Sequence, residues 1–519
     1  MRIAALLVLT LTTPLAAQTF GTGDTVLRRI WDEGMSRSQT EPLAQTLMDS
    51  IGPRLTGSPG IKAGNDWLVA MYTRWGIPAH NEQYGTWRSW RRGVTHVDLI
   101  APRVRTLEAT MLAWSPGTPR GRAVEGPVVL LPDLPDSAAY AQWMRGIRRA
   151  FVAMSAPEAS CRPQDSWQQW AGDSGVARFR RAHDAAIDDF RARVRKTGYD
   201  LRTLPVALEQ AGAAGVLTSR WSLGWGVDKI FNARTQRVPQ LDVSCEDYGL
   251  ISRLAEHGQG PVLRVAAEAE DRGELPVFNT IAMVRGEVLP DQYVVLSAHF
   301  DSWDGGSGGT DNGTGTITMM EAMRILHAVY PHPRRTIVVG HWSGEEQGLN
   351  GSRAFAHDHP EIVSGLQALF NQDNGTGEIA RISMQGLSGA GAHFAEWFAA
   401  IPSALVGGVQ LQIPGFPGGG GSDYASFICA GAPSFSLSSA SWDYGTYTWH
   451  TNRDTYDKIN LENLRRNATL TAMLAYLASE DPERVPRDRA ILGVNPRSGR
   501  QATWPECQDG VRRSEDSDR

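Results

Sequence analysis

Cysteine is scarce in this chain, with four among 519 residues: Cys161, Cys245, Cys429 and Cys507. No Cys-x-x-Cys pair occurs, which excludes a zinc ribbon. In an oxidising compartment the four could close up to two disulfides, in any of three connectivities; free buried thiols are the other reading. Long apolar runs are also missing. None approaches the roughly 20 residues that a membrane-spanning helix needs, so stable membrane insertion is not expected. Charge of one sign is not in excess: a net −5 over this length implies no basic face and argues against a nucleic-acid partner. No internal repeat is visible.

What is present is ordinary for a globular protein: 41% hydrophobic and 21% charged residues, in a chain long enough for two or three cores. Tryptophan is plentiful at 17 copies, which suggests large packed interfaces or aromatic-lined clefts. The first 17 residues have the pattern of an export signal. Arg2 supplies the positive start, Ile3 to Leu11 the apolar run, and Leu15-Ala16-Ala17 a small-residue cleavage site before Gln18. The mature protein is therefore expected to be secreted or periplasmic.

Along the chain, an amphipathic pattern at 42–51 is followed by the turn-rich run Gly52-Pro53-Arg54-Leu55-Thr56-Gly57-Ser58-Pro59-Gly60. A helical pattern through Trp67, Leu68, Met71 and Trp75 and strand-like alternation at 94–100 then open an α/β domain. Residues 123–272 differ in character. Short apolar runs at 128–131 and 215–217 flank a polar helix in which Val176, Phe179, Ile187, Phe190 and Val194 recur at helical spacing. This stretch reads as an inserted domain. From Val277 the α/β rhythm returns: strands at 279–284, 293–298 and 336–340, and helices at 315–330, 390–400 and 461–479. Such alternation predicts a sheet covered by helices on both faces. Residues 481–519 turn polar and rich in Arg and Pro, and are expected to form a loose tail.

Five short segments of the last half each carry a metal-competent residue at a strand end or in a loop. They are His299-Phe300-Asp301, Asp311-Asn312-Gly313, Glu345-Glu346, Asn371-Gln372-Asp373 and Trp449-His450-Thr451. In the first, the imidazole can bind a metal while the Asp301 carboxylate orients it from behind. Asp311 could bridge two cations. On extended backbone Glu345 and Glu346 point in opposite directions, so one can bind metal while the other faces the attacking water. Taken singly each motif is weak, since a strand-end His or a Glu pair is more often only solvated or structural. Their order, each at the carboxyl end of an apolar strand, carries the argument, because ligands of open α/β sheets gather at that edge. Two His and three carboxylates suit borderline divalent ions, zinc first.

This ordered set resembles peptidase family M28, the co-catalytic zinc aminopeptidases and carboxypeptidases. The closest likeness is to the branch that includes plasma glutamate carboxypeptidase and exported bacterial enzymes. Residues 40–480 share it, including Ile51 to Ser58. The resemblance implies an α/β/α sandwich with a mixed central sheet, formed by residues 24–122 and 273–480. It also implies an inserted, mainly β/α, protease-associated domain at 123–272, which contains Ala211 to Val216. It implies two Zn(2+) per chain, with His299 and Asp373 on one, Glu346 and His450 on the other, and Asp311 bridging. Glu345 would be the general base and Asp301 the partner of His299. Peptide substrates and a homodimer follow from the same resemblance, as does an exopeptidase activity, for which aminopeptidase or dipeptidase is favoured and carboxypeptidase stays open. Ser422-Asp423-Tyr424 departs from the usual Ser-Asp-His of the family, and no role is given to Tyr424.

Gly305-Gly306-Ser307-Gly308-Gly309 matches the nucleophile-elbow pattern G-x-S-x-G but lacks a strand directly before it and a helix directly after, and reads as a glycine-rich loop. The run Gly418 to Gly421 reads as a mobile wall of the cleft. Two rival functions share the expected fold. One is a single-zinc, glutaminyl cyclase-like enzyme, which the complete second ligand set opposes. The other is a metal-free binding module, which would have lost ligands that are all present here.

Overall fold

The computed structural model describes residues 22–495 and 499–516; the expected export signal at 1–17 lies outside them. Fourteen strands build one mixed sheet: β1 Ala79–Ala101, β2 Arg105–Thr106, β3 Ala109–Met111, β4 Val124–Leu130, β5 Phe151–Ala153, β6 Gly215–Thr218, β7 Gln240–Val243, β8 Val262–Val284, β9 Leu289–His299, β10 Arg335–Trp342, β11 Leu366–Asn371, β12 Ile379–Ser383, β13 Gln410–Gln412 and β14 Ser434–Ser439. Their order is β13-β12-β14-β11-β9-β10-β8-β4-β5-β6-β7-β3, with β1 antiparallel to β8.

The centre is parallel where its strands are apolar on both faces. Tyr293-Val294-Val295-Leu296-Ser297-Ala298 of β9 pairs in parallel with β10 on one side and β11 on the other. From Val294 to His299 every residue is buried, as a strand covered on both faces must be. On one face lie the helices Thr25–Ser36, Thr314–Val329, Ala390–Ala400 and Leu461–Glu480, around a core that includes Leu296, Phe370, Phe394 and Leu474. Helix Thr314–Val329 is buried on nearly all sides, in keeping with its Thr- and Met-rich, almost uncharged sequence. On the other face Trp342, Phe355, Ile362 and Phe427 join Val295 and Val338 in a smaller core.

A further core lies along β1 and β8 and continues into the β4-to-β3 half of the sheet. β1 and β8 pair along almost their whole length, first beside β10 and then, past Trp90, beside β4. Trp87, Trp90, Val97, Phe151, Leu241 and Val265 pack there together with Trp303 and Ala354. The expected polar helix is Gly172–Lys196, which buries Phe179 and Val194. Two disulfides join Cys161 to Cys245 and Cys429 to Cys507.

The expected loose tail is instead a strap over its described residues. Arg489 lies over the Trp504 ring at 4.6 Å, Val511 N–H donates to Asn350 Oδ1 at 2.9 Å, and Thr86 N–H donates to Arg512 O at 2.8 Å. Main-chain pairing and a disulfide hold this segment, and neither leaves a hydrophobic pattern in sequence.

Candidate metal centre

The site lies where β9, β10 and β11 end. β9 stops at His299, whose ring is 1% exposed and held from behind by the backbone: its Nδ1 lies 3.0 Å from Asp301 O. That contact leaves Nε2 pointing outward, 3.0 Å from Asp373 Oδ1 just past β11 and 3.5 Å from Asp311 Oδ1 in the loop before helix Thr314–Val329. Across the site His450 Nε2 lies 2.9 Å from Glu346 Oε2 and 3.4 Å from Asp311 Oδ2. Asp311 therefore turns one oxygen toward each imidazole. In each trio, His299–Asp311–Asp373 and Asp311–Glu346–His450, one ligand atom per residue lies within 4.8 Å of the others.

The donor set fits divalent cations on two counts. Asp301, Asp311, Glu346, Asp373 and Asp423 are buried together, yet among the described residues none forms an ion pair with Lys or Arg. Buried charge left without compensation is costly. Asp311 Oδ2, Glu346 Oε1 and both oxygens of Asp423 are also buried without a hydrogen-bond donor among the described residues. The electrostatics agree. Burial pulls the His299 imidazole down, but the surrounding carboxylates, Asp373 foremost, outweigh it and hold it well above its usual range. Burial pushes Glu345 and Glu346 well above theirs. Burial likewise takes His450 down to about 4, leaving it neutral and able to act as a ligand.

The sequence model of peptidase family M28 matches residues 279–475, which span this whole donor set. Residues 279–475 thus carry the sequence pattern of an M28 metallopeptidase. Carboxypeptidase Q of Mus musculus is 25% identical over 442 residues, covering 85% of this chain and 86% of its own. A solved structure of a peptidase M28 precursor from Shewanella amazonensis superposes with a TM-score of 0.64 at 25% identity, covering 89% of this chain and 98% of that one. The zinc aminopeptidase of Bacillus subtilis shares the fold, with a TM-score of 0.54 at 16% identity, covering 87% and 96%.

Within the matched stretch all seven residues singled out from sequence gather at one place. Asp301 does more than back His299. Its carboxylate accepts the N–H groups of Glu345 at 3.1 Å and Glu346 at 3.2 Å, and the Thr56 hydroxyl at 3.1 Å. It thus fixes the turn from which both glutamates project.

Three buttressing residues escaped the sequence reading. Arg54, fully buried, donates to the carbonyls of Gly52, Phe300, Ser307 and Gly308 and so ties the glycine-rich loop to the end of β9. Burial lowers its guanidinium to about 10. Asp454 accepts Thr310 N–H at 2.7 Å and Asp311 N–H at 3.0 Å, aiming the shared carboxylate. Phe231, from the far end of the sheet, packs edge-on against the His450 ring with centroids 5.0 Å apart, while Ile230 N–H donates to His450 O at 2.7 Å. His450 sits at φ +58°, a left-handed conformation that needs such holding. Arg54 stood within the Ile51 to Ser58 resemblance, but its role depends on carbonyls about 250 residues away.

Proposed function

We propose that the protein is an exported exopeptidase that uses two zinc ions and cleaves peptide bonds next to a free terminus, as an aminopeptidase or dipeptidase. The observation that carries this reading is Asp311, whose two oxygens face different imidazoles, each backed by a further carboxylate. His299 and Asp373 would hold one ion, Glu346 and His450 the other, and Asp311 both. When bound, such a pair of cations supplies Lewis acidity that activates water and polarises a carbonyl.

Glu345 is the residue left to move the proton. It stands beside the ligands without belonging to either trio, and it is partly exposed. Burial raises its affinity for a proton, so it can take one from the attacking water and hand it to the departing amine. Asp301, by accepting the N–H groups of Glu345 and Glu346, fixes a turn rather than the extended backbone expected there, and base and ligand project from that turn. Trp303 Nε1–H, 2.8 Å from Glu346 Oε2, holds the ligand carboxylate in place.

Residues 123–272 would form the protease-associated-like insert, and through Phe231 and Ile230 it would steady His450. Two disulfides fit an oxidising compartment, and among the described residues no helix is long and apolar enough to cross a membrane.

The test is metal content of the purified protein, together with hydrolysis of Leu-p-nitroanilide and a dipeptide panel before and after chelation. Close to two zinc ions per chain, with activity lost on chelation and restored by zinc, is the expected result. One zinc without peptide hydrolysis would move the reading to the cyclase-like chemistry.

A further inference from the structure

The row of side chains that begins with His299 does not stop at the metal centre. Ser297 on β9 is level with Asn371 on β11, Asn371 with Ser436 on β14, and Ser436 with Ser383 on β12. The Ser297 and Asn371 side chains meet at 2.7 Å, so this row points to one face of the sheet. Side chains repeat on a face every second residue. The next row toward the site edge therefore carries His299 on β9 and, on β14 and β12, the register pair Ser438 and Arg381. Neighbouring strands lie about 4.8 Å apart, which puts Arg381 about 10 Å from β11, where Asp373 emerges.

On this face the end of the sheet is hollow. The helices Asn350–Asp358, Pro360–Gly365 and Ala425–Ile428 cover its centre, but beyond them a cavity of about 890 Å³ opens over β14, β12 and β13. Its floor is Arg381, Ser383, Ser436 and Ser438, and its near wall is Tyr424, the residue after the buried Asp423 of the metal centre. The glycine run forms another side, where a Cβ at Gly418 would collide with the Tyr424 ring. Arg381 is the only charged residue of the lining, and among the described residues no carboxylate pairs with it.

We propose that this cavity receives a carboxylate of the substrate, with Arg381 as the recognising residue and the Ser436 and Ser438 hydroxyls beside it. A guanidinium in a pocket of hydroxyls and amides matches a planar anion and no cation. A distance of about 10 Å is spanned by about three extended residues, or fewer when an acidic side chain adds its own reach. The anion is thus the free C-terminal carboxylate of a short peptide or an Asp or Glu side chain. This specificity rests on the peptidase reading of the neighbouring metal centre.

Two matched pairs of peptides separate the sources: Ala-Ala-Ala against its C-terminal amide, and Ala-Glu-Ala-amide against Ala-Gln-Ala-amide. The zinc-loaded protein should prefer the carboxylate member of one pair by about 10- to 100-fold in kcat/KM, chiefly through KM. Preference in the first pair assigns the terminus, and preference in the second the side chain. In Arg381→Gln the ratio should collapse toward one, and Arg381→Lys should restore part of it. No preference in either pair, or a wild-type ratio in Arg381→Gln, overturns the proposal. Hydrolysis of the amides without such preference sinks the pocket alone, whereas hydrolysis of no peptide sinks the peptidase reading. In that second case calorimetric titration of the same four peptides still decides the pocket, through tighter binding of the carboxylate members that Arg381→Gln abolishes.

Discussion

Replacing Asp454 by Ala should unhook the shared carboxylate without touching a ligand. The Asp454 side chain is buried, and each of its oxygens takes one backbone donor, Thr310 N–H at 2.7 Å and Asp311 N–H at 3.0 Å. Alanine leaves both donors facing a small void. A buried donor without an acceptor costs about 1–3 kcal/mol, so the loop loses about 2–6 kcal/mol of local stability before it relaxes. Relaxation moves Asp311, whose oxygens now lie 3.5 and 3.4 Å from the two imidazoles. Groups that orient a ligand are typically worth about 10- to 100-fold in metal affinity, and that is the expected weakening, shared by both zinc equivalents. Asp454→Asn keeps one acceptor oxygen and should fall between. The assay is zinc affinity by competition with a chromophoric chelator, with circular dichroism to show that the variant is folded. A folded Asp454→Ala protein that binds both equivalents with wild-type affinity would refute the reasoning.

The metal-free protein should lose stability as pH rises. Burial pushes Asp423 and Asp454 up to about 7, whereas an unfolded Asp titrates near 4, so between these values the folded chain holds protons that the unfolded chain has released. Its Tm should therefore fall from about pH 4 to about pH 7; a Tm that rises over this window contradicts the assignment. Arg54→Lys should lower Tm clearly, because a single ammonium cannot reach the four carbonyls that the guanidinium serves, and differential scanning calorimetry would show it. Phe231→Ala removes the ring beside His450 and should weaken one zinc equivalent about tenfold while sparing the other, a split that chelator competition resolves. Changing Cys429 and Cys507 to Ser together should expose the described parts of the strap, 482–495 and 499–515, to limited proteolysis while zinc content stays at the wild-type level; an unchanged cleavage rate would mean that the strap is held by its hydrogen bonds alone.

Much of this architecture could be read in the sequence because the relevant signals are local. The apolar run at 293–298 became the buried end of β9, and the helix expected at 390–400 is Ala390–Ala400. His299, Asp311, Glu345, Glu346, Asp373 and His450 each stand beside a strand end or in a turn, where a short window of residues announces them. The supporting groups give no such signal. Arg54 acts on backbone carbonyls and Asp454 on backbone N–H groups, and neither kind of partner has a side-chain identity that a motif could record. The strap misled for a related reason. Its Arg- and Pro-rich composition resembles disorder, but Arg489, Val511 and Arg512 are held by an aromatic face, an amide oxygen and a main-chain N–H.

Where the sequence signal fails also says something about how the site is built. The ligand side chains come from the ends of central strands, yet what holds them still comes from the periphery: Arg54 from the N-terminal turn, Phe231 and Ile230 from the far side of the sheet, Asp454 from the loop that also carries His450. His450 shows this most clearly. It lies late in the chain, on a left-handed backbone, with its carbonyl bonded to Ile230 and its ring set between Phe231 and Trp303 at 5.0 and 5.7 Å. Trp303 in turn belongs to the core that β1 and β8 share with the second half of the sheet. Whatever displaces that half must therefore shift one of the two imidazoles while leaving His299, fixed at the end of β9, where it is. The two metal positions should consequently differ in affinity, with the His450 side the weaker, and stepwise chelation should remove one zinc before the other.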